Sequence, residues 1–289
     1  MELFDGFLPV RGKQPLIQWA RPTELYSLEQ AQKFNEYGGR IAQNIVLIDV
    51  DNREQAECLL KIVEQEKVST IVYKTDRGLH FYFENDGSLI NNHLHSMLAI
   101  GLEADVKVGV VNNYAKLKSK GVKRQIIRNT EKLQKIPKWL RPLNAQKVQI
   151  ELFNLSEGDG RNEALYQYII PLINTGFTKE ESRECIRLIN KYVFAQSLED
   201  KELKTILRDE AFENLHPAFY DENRKLQIDE LSKFIINKLH IKRINKNLYA
   251  YQNGFYVLGS PLIRNAVLQY IKSPRRCIRN EVESFIDDF

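Results

Sequence analysis

The sequence predicts a mixed α+β fold in the first half of the chain and a helical region after it. Up to residue 145, short β-branched and aromatic runs alternate with amphipathic stretches. After the Pro-punctuated stretch KIPKWLRPL (135–143), helical patterns follow one another with short turns between them. We therefore expect a first domain over 1–145, a small all-helical domain over 146–215 and a helix-hairpin-helix segment over 216–289.

The first domain begins with a predicted helix, a buried strand and a second helix. SLEQAQKFNEYGG (27–39) has a Ser at the cap position, helical apolar spacing and a Gly pair as terminator. NIVLIDVD (44–51) is typical of a buried strand. NREQAECLLKIVEQEK (52–67) predicts an amphipathic helix that is capped by Asp51 or Asn52.

The remaining elements follow from the same patterns. Strands are predicted around the turn signature DRG and around a Lys-Gly turn, in VSTIVYKT (68–75), LHFYFEN (79–85), EADVKVGVV (103–111) and NNYAKLKSKGVKRQII (112–127). Three helices are predicted beyond residue 156, in GRNEALYQYIIPLINTG, TKEESRECIRLINKYVFA and LEDKELKTILRDEAFENL. The last segment predicts a helix, a hairpin with QNG as its turn and a closing helical stretch without a stop signal, so we expect the chain to be part of a longer protein.

Composition narrows the function classes. The chain has 289 residues, is 43% hydrophobic and 28% charged, and contains no apolar run near the roughly 18 to 20 residues of a membrane span. Its start lacks the pattern of a signal peptide. The three cysteines are far apart and form no CxxC pair, which argues against a disulfide framework or a Cys-rich zinc site and favours a cytoplasmic protein without membrane contact.

Positive charge is concentrated in one segment. Between Asp105 and Arg141 the sequence has eleven Lys and Arg residues against two acids, although the net charge of the whole chain is only +4. A solvated surface explains such a segment as well as a polyanion does. We retain the polyanion as a hypothesis because neutralising phosphates releases counterions and drives association.

Two carboxylates end the predicted strand 44–51. Residues i and i+2 of a strand face the same side, so Asp49 and Asp51 are expected to project together. Neighbouring carboxylates favour a shared cation, and Mg²⁺ or Mn²⁺ binds carboxylate oxygen while leaving positions for substrate phosphate. The alternative is that the pair only caps the following helix, which by itself is the commoner role of such a pair.

Two further stretches carry polar chemistry. In KTDRGLHFYF (74–83), Gly78 allows a tight turn and His80 opens a strand close to Lys74, Thr75 and Arg77, a set that suits a triphosphate. A plain hairpin with an incidental histidine is the alternative. In EADVKVG (103–109), one strand face carries Glu103, Asp105 and Lys107, which offers a third carboxylate and a phosphate contact.

Taken in order, these motifs resemble the archaeo-eukaryotic primase superfamily. The order is an apolar run with Asp-x-Asp, a Gly-x-His strand and an acid-bearing strand, at intervals of 29 residues from Asp51 to His80 and 25 from His80 to Asp105. The resemblance is closest to the primase-polymerase domain of phage and mobile-element replication proteins. EGDGRNEALYQYI through LEDKELKTILRDEAF resembles the helical primase C-terminal domain that follows it, and IDELSKFIINKLHIKRINKNLYAYQNGFYV resembles the region preceding a superfamily 3 helicase. No GxxxxGK[ST] motif occurs, so the helicase motor is not in this chain.

The resemblance implies a fold and a role for each matching residue. The implied fold is a catalytic domain of the archaeo-eukaryotic primase type with an RRM-like sheet. The implied catalytic and metal-binding residues for two Mg²⁺ or Mn²⁺ ions are Asp49, Asp51 and Asp105. His80 matches the histidine that contacts nucleotide phosphates, and lesser nucleotide contacts are Lys107, Lys74, Thr75 and Arg77. Thr75 lies near the position where the family often has a small hydroxyl residue, although the motif here is Gly-Leu-His rather than Ser-x-His. The nucleic-acid contacts are predicted at Lys116, Lys118, Lys123, Arg124, Arg128 and Arg161.

Two of these assignments have structural alternatives. In GDGRN, Arg161 and Asn162 are candidates for primer or template contact, but they suit the capping of the next helix equally well. Among the aromatics, Tyr114 is available for base stacking. Trp139 fits a core or linker anchor better than a stacking role.

The implied function is synthesis of primers on single-stranded DNA from NTPs or dNTPs, by two-metal nucleotidyl transfer. A helicase domain is implied as partner, in the full-length protein or in trans, in the cytoplasm of a bacterial host. A primase-like module that binds DNA without catalysis is one alternative. A rolling-circle nicking endonuclease is another, because His93-Leu94-His95 matches its metal-binding triplet, although the flanking residues predict a loop that enters a helix.

Overall fold

The computed structural model describes residues 2–143, 150–213, 219, 226–252, 254–271 and 275–288. Helices and antiparallel sheets are both present, which confirms the α+β class. The chain forms two compact units, Met1–Asp159 with Leu188–Ser197 and Gly160–Arg187 with Leu198–Phe289. The three domains stay a prediction, and both of their boundaries, at 145/146 and 215/216, lie outside the described residues.

The first unit is built mainly from strands. Its described elements are β1 (Phe4–Arg11), β2 (Gln14–Pro15), α1 (Leu28–Ala31), β3 (Tyr37–Ile41), β4 (Ile45–Val50), α2 (Arg53–Gln65), β5 (Ile71–Lys74), β6 (Leu79–Glu84), β7 (His93–Met97), β8 (Glu103–Val108), β9 (Tyr114–Ser119), β10 (Val122–Lys123), β11 (Ile126–Arg128), a 3₁₀ helix (Lys138–Leu140) and a π-helix (Ile189–Val193). They form a five-stranded sheet of order β10-β9-β3-β1-β2 and a six-stranded sheet of order β11-β5-β6-β4-β8-β7.

The long helix predicted over 27–39 is wrong. Ser27 does cap a helix, in a capping box with Gln30, but α1 ends at Ala31. The Gly pair lies instead in β3, where a Cβ on Gly39 would come within 2.5 Å of the Phe4 ring and one on Gly38 within 2.7 Å of the Tyr114 ring. Tertiary packing requires glycine at these positions, and it overrides the local helical pattern.

The six-stranded sheet has a different layer on each face. Helix α2 begins at the Asn52 cap, contacts β4 and β6, and buries Leu59, Ile62 and Val63. The opposite face contributes Leu47 and Tyr82 to a core shared with Phe4, Tyr37 and Leu117 of the five-stranded sheet. The strand β4 is therefore central and covered on both sides, as its apolar run predicts.

The second unit is mainly helical. Its described elements are α3 (Arg161–Asn174), α4 (Lys179–Leu188), α5 (Asp200–Ile206), α6 (Glu210–Glu213), α7 (Ile228–Leu239), β12 (Lys242–Ile244), β13 (Asn247–Gln252), β14 (Phe255–Leu258), α8 (Gly259–Tyr270) and α9 (Arg276–Asp288). Helices and a hairpin lie where the sequence predicts them, except that the third predicted helix, LEDKELKTILRDEAFENL, is divided into α5 and α6. The QNG turn includes Asn253, which lies outside the described residues. A core that contains Leu231, Ile235 and Val267 holds the C-terminal elements together. Among the helices the structure describes, none is long and apolar enough to cross a bilayer.

Candidate active site

Three of the predicted site residues lie in one row across three strands. The antiparallel register of β4 pairs Asp49 with His80 of β6 on one side and with Asp105 of β8 on the other. Residues that are directly opposite in such strands share a face, so the three side chains project together. Asp51 lies just past the end of β4, and its side chain is 56% exposed.

The row lies at the border of the hydrophobic core between the two sheets. The neighbouring pair on the same face of β4 and β6 is Leu47 and Tyr82, both fully buried. The next pair is Asp49 and His80, whose side chains are 12% and 7% exposed. A carboxylate at this depth loses most of its hydration, so its charge must be balanced by neighbouring groups.

Gly78 holds the row in register. A Cβ at this position would lie 1.8 Å from the carbonyl oxygen of Val50 and 3.1 Å from the Cα of Asp51. The start of β6 therefore touches the backbone at the end of β4, which keeps His80 opposite Asp49. The Gly in the Gly-Leu-His motif is explained by this close approach.

Thr75 shapes the turn that precedes Gly78. Its hydroxyl accepts a hydrogen bond from the Gly78 amide at 2.9 Å, and its own amide donates to the Gly78 carbonyl oxygen at 3.0 Å. This is the turn that the DRG signature predicts. Thr75 therefore has a role in the turn, while Lys74 beside it is exposed to solvent.

The three predicted metal-binding carboxylates each contact a cation or a backbone donor of the chain itself. The ammonium of Lys107 lies 2.6 Å from Oδ2 of Asp49 and 3.6 Å from Oδ2 of Asp105. Oδ1 of Asp105 accepts a 2.8 Å hydrogen bond from the His95 amide. Arg77 donates to Asp51 at 2.5 Å. Of the described residues, no three His, Cys, Asp or Glu side chains are grouped so that they could hold a metal ion.

His80 contacts three polar side chains. Nη1 of Arg124 lies 3.5 Å from Nε2 of His80, and the Tyr82 hydroxyl lies 3.4 Å from Nδ1. Oδ1 of Asp49 lies 3.2 Å from Nε2 but without hydrogen-bond geometry, and it is buried with no hydrogen-bond partner in the described part of the chain. A guanidinium only donates and a carboxylate only accepts, so Nε2 faces Arg124 as an acceptor when it carries no proton and faces Asp49 as a donor when it carries one.

Opposing effects set the charge states in the row. Burial raises the pKa of Asp49, but the contacts with His80 and Lys107 outweigh it and hold that pKa well below its usual value. Burial lowers the pKa of His80 and outweighs the contact with Asp49, while Arg124 and Lys107 act in the same direction as burial. At neutral pH the row is therefore a carboxylate beside a neutral imidazole, and Lys107 supplies the charge that keeps Asp49 ionised.

Two carboxylates of the row are oxygen donors of the kind that hard divalent cations bind. Asp49 and Asp105 face the same side of adjacent strands, and the Lys107 ammonium already lies close to both. One carboxylate oxygen of Asp49 has an unused acceptor capacity in a buried position. Oxygen ligands of this kind are the ones that Mg²⁺ and Mn²⁺ prefer. Asp51 lies two residues after Asp49, just past the end of β4, and contacts Arg77.

The predicted nucleic-acid contacts are divided by the structure. Arg124 is in the site, whereas Lys116 lies 3.7 Å from Glu36 and Lys118 donates to backbone carbonyls at 2.8 and 3.1 Å. Arg128 donates to the Val68 carbonyl at 3.1 Å, and Lys123 is exposed. Arg161 begins α3 in the second unit. Part of the basic segment is thus involved in holding the fold together.

The structure shows where the candidate stacking aromatics and the candidate helix-capping residue lie. Trp139 is 5% exposed, which confirms that it is a core residue. The hydroxyl of Tyr114 donates to the Lys13 carbonyl oxygen at 2.6 Å. Asn162 donates to Glu202 at 2.9 Å. The sequence reading missed Tyr82 as a neighbour of the site, although it lies two residues after His80 and so on the same strand face.

The expectation of a loop that enters a helix around His93-Leu94-His95 is wrong. These residues form β7, the edge strand next to β8, with a register shift between His93 and Ser96. His95 has φ +48° and a side chain that is 95% exposed. A bulge of this kind is common at sheet edges, where it redirects side chains.

No protein-family model matches the chain, and no curated protein matches it either. The motifs and the geometry around Asp49 therefore carry the assignment of a function.

Proposed function

We propose that this chain is a DNA primase-polymerase of the archaeo-eukaryotic primase type. The observation that carries the proposal is the row Asp105–Asp49–His80 on three neighbouring strands. It brings together two predicted metal ligands and the predicted phosphate-binding histidine, which come from three separate motifs of the sequence. In this proposal the six-stranded sheet corresponds to the RRM-like sheet of that superfamily, and the second unit to its helical C-terminal region.

The proposed metal ligands are Asp49, Asp51 and Asp105. Divalent ions held there would lower the pKa of the primer 3′-hydroxyl and would stabilise the negative charge of the departing pyrophosphate. The carboxylates suit this role because Asp49 stays ionised far below neutral pH. No side-chain nucleophile is needed, since the primer hydroxyl attacks the nucleotide directly.

The cations around the row would bind the phosphates of the nucleotide. Lys107 and Arg77 contact the carboxylates at 2.6 and 2.5 Å, and a triphosphate offers them an alternative anion. Arg124 and the neutral His80 present hydrogen-bonding groups at the same position. Lys74, which is exposed, would contact the nucleotide, and the exposed Lys123 would contact template or primer phosphates.

The proposed substrates and partners follow from this activity. The chain would act on a single-stranded DNA template and a primer, with NTPs or dNTPs as the nucleotides. A helicase domain in the full-length protein or in trans would move the template. We place this activity in the cytoplasm of a bacterial host, which agrees with three separate cysteines that form no disulfide among the described residues.

The test is templated nucleotide incorporation. Purified protein is incubated with single-stranded DNA and Mg²⁺ or Mn²⁺, separately with NTPs and with dNTPs. Asp49→Asn removes the carboxylate at nearly constant volume, and we expect at least about a 100-fold loss of product. Asp76→Asn changes an exposed acid of the neighbouring turn and should retain activity within about twofold. Equal activity of the Asp49→Asn variant and the wild type would reject the proposal.

One observation favours a second candidate, a primase-like module that only binds DNA. Lys107 and Arg77 already balance the carboxylates, so the cluster is also consistent with a structural ion-pair network. If wild type and Asp49→Asn are both inactive while DNA binding persists, this second candidate replaces the first. Covalent attachment of a tyrosine to a 5′ DNA end would instead indicate the nicking endonuclease.

A further inference from the structure

The C-terminal hairpin region has an unusual composition. Residues 238–260 contain no Asp or Glu, four Lys or Arg residues and four aromatic residues other than histidine. The cations are Lys238, Lys242, Arg243 and Lys246, and the aromatics are Tyr249, Tyr251, Phe255 and Tyr256. Clusters of cations interleaved with aromatic side chains are typical of surfaces that bind single-stranded nucleic acid.

The strand register sorts these residues onto two faces. In β13, Leu248 and Ala250 are 6% and 0% exposed and face the helices of the second unit. Tyr249 and Tyr251 alternate with them and therefore face outward. In β14, Tyr256 pairs with Tyr251 and Leu258 with Tyr249, so both also lie on the outer face.

The outer face is exposed and apolar at its centre. Ile244, Tyr251 and Leu258 are 45%, 41% and 55% exposed. The Tyr251 and Tyr256 rings are 5.3 Å apart at an angle of 61°, and the Lys242 ammonium lies 4.8 Å from the centre of the Tyr256 ring. We call this surface, formed by Lys242, Ile244, Tyr249, Tyr251, Tyr256 and Leu258, the tyrosine face.

We propose that the tyrosine face binds single-stranded nucleic acid, with bases stacked on its tyrosines and a phosphate contacted by Lys242. Three strands about 4.8 Å apart give a platform about 10 Å wide, which accommodates two or three bases. The site lies in the second unit, and it does not depend on nucleotidyl transfer at Asp49. It would let the chain hold a template strand independently of the candidate active site.

Charge and shape favour this ligand over the other occupants. A duplex keeps its bases stacked inside and would use only the cations, which leaves the exposed Tyr251 and Leu258 without a partner. A second copy of the same face would bring two Lys242 ammonium groups together with no acid on the face to balance them, which like-charge repulsion opposes. An unpaired strand satisfies the aromatic and the cationic groups together.

The experiment measures binding of a fluorescein-labelled dT20 strand to the full chain by anisotropy, in EDTA and without nucleotide. These conditions exclude nucleotidyl transfer, so the result is separate from the test of the active site. We expect Tyr251→Ala and Tyr256→Ala each to weaken binding at least about fivefold, because a stacked base is lost. Tyr251→Phe should bind within about twofold of the wild type, since the ring is kept.

Two controls make the result specific. Tyr166→Ala removes a tyrosine of similar exposure, 45%, from α3 of the same unit and should bind as the wild type does. Lys242→Ala should lower the slope of log K against log salt by about 0.7, the value for one phosphate contact on a single strand. The Tyr251→Ala loss is expected to be equal in an Asp49→Asn background.

Direct contact is tested by photocrosslinking a 5-bromodeoxyuridine strand and mapping the adduct by mass spectrometry. Adducts on Tyr249, Tyr251 or Tyr256 would support the proposal. Unchanged affinity of both alanine variants, or adducts confined to residues 1–159, would overturn it. A change in oligomeric state with unchanged dT20 affinity would assign the face to protein association and overturn it equally.

Discussion

The two faces of the six-stranded sheet differ in a way that explains the candidate site. On the face towards α2, the central strands present Val46, Ile48, Phe81 and Val106, all fully buried. On the opposite face the same strands present the buried pair Leu47 and Tyr82, and the next pair on that face is Asp49 and His80. The difference indicates that one face serves stability alone, whereas the other combines stability with a charged site at its border.

The largest expected effect is a loss of stability when the packing of α2 on the sheet is weakened. Leu59 is fully buried on α2, so Leu59→Ala should lower the free energy of unfolding of the first unit by about 2–5 kcal/mol. Both tryptophans of the chain, Trp19 and Trp139, lie in this unit, so urea unfolding followed by tryptophan fluorescence reports on it alone. Exposed Glu57→Ala is the control and should change the same quantity by less than about 0.5 kcal/mol. Equal effects of the two variants would mean that α2 does not support the sheet.

The second prediction concerns Lys107, which balances the charge of Asp49 on the face opposite α2. Lys107→Met leaves the buried Asp49 carboxylate without its charged partner, and we expect a loss of about 1–3 kcal/mol, because the partly exposed Lys107 reduces the full cost of breaking a buried pair. The double variant Asp49→Leu/Lys107→Met removes both charges and should recover most of that loss, while it abolishes nucleotide incorporation. The measurement is urea unfolding of both variants, with the incorporation assay beside it. A double variant less stable than Lys107→Met would show that the row stabilises the fold by more than charge compensation.

These two faces also show how far the sequence predicts the structure. The apolar run 45–48 and the parity of Asp49 and Asp51 are local patterns, and they place a buried strand with carboxylates at its end correctly. The pairing of Asp49 with His80 and Asp105 depends on strand order, which periodicity does not encode; motif order alone suggested it. The positions of Arg77 and Lys107 against the carboxylates come from side-chain packing. For the same reason the Gly38–Gly39 pair misled the helix prediction, since its cause is a distant phenylalanine ring.

A smaller effect concerns pH and one imidazole. Burial lowers the pKa of His80, so the folded chain resists the proton that the unfolded chain binds as the pH falls below about 6.5. The contribution of His80 to stability is therefore present above that pH and is lost below it, by at most about 1.4 kcal/mol per pH unit. His80→Gln should flatten this part of the stability profile between pH 7 and pH 5. His95→Gln, with a side chain that is 95% exposed, should keep the wild-type profile. Identical profiles for wild type and His80→Gln would show that the imidazole is not buried in its neutral form.

The smallest effect concerns the reactivity of the Cys58 thiol, which lies on α2 and reports on the face of the sheet that α2 covers. Burial raises the pKa of Cys58 on α2 to about 11, with Lys61 opposing it, so about one molecule in a thousand carries a thiolate there at pH 8. Exposed Cys277 should react with an aromatic disulfide reagent at least about 100-fold faster, and Cys277→Ser should remove the fast phase.

The slow Cys58 reaction then measures how often α2 opens. Sγ of Cys58 donates to the Tyr192 carbonyl oxygen at 3.3 Å, so the thiol must leave this contact before it reacts. Leu59→Ala weakens the packing next to it and should accelerate the reaction of Cys58, assigned by peptide mapping, without changing that of Cys277. Lys107→Met changes only the opposite face and should accelerate Cys58 less, in proportion to its smaller stability loss. If Lys107→Met accelerates Cys58 as much as Leu59→Ala does, the two faces open together, and the charged face is as much a part of the stabilising core as the apolar one.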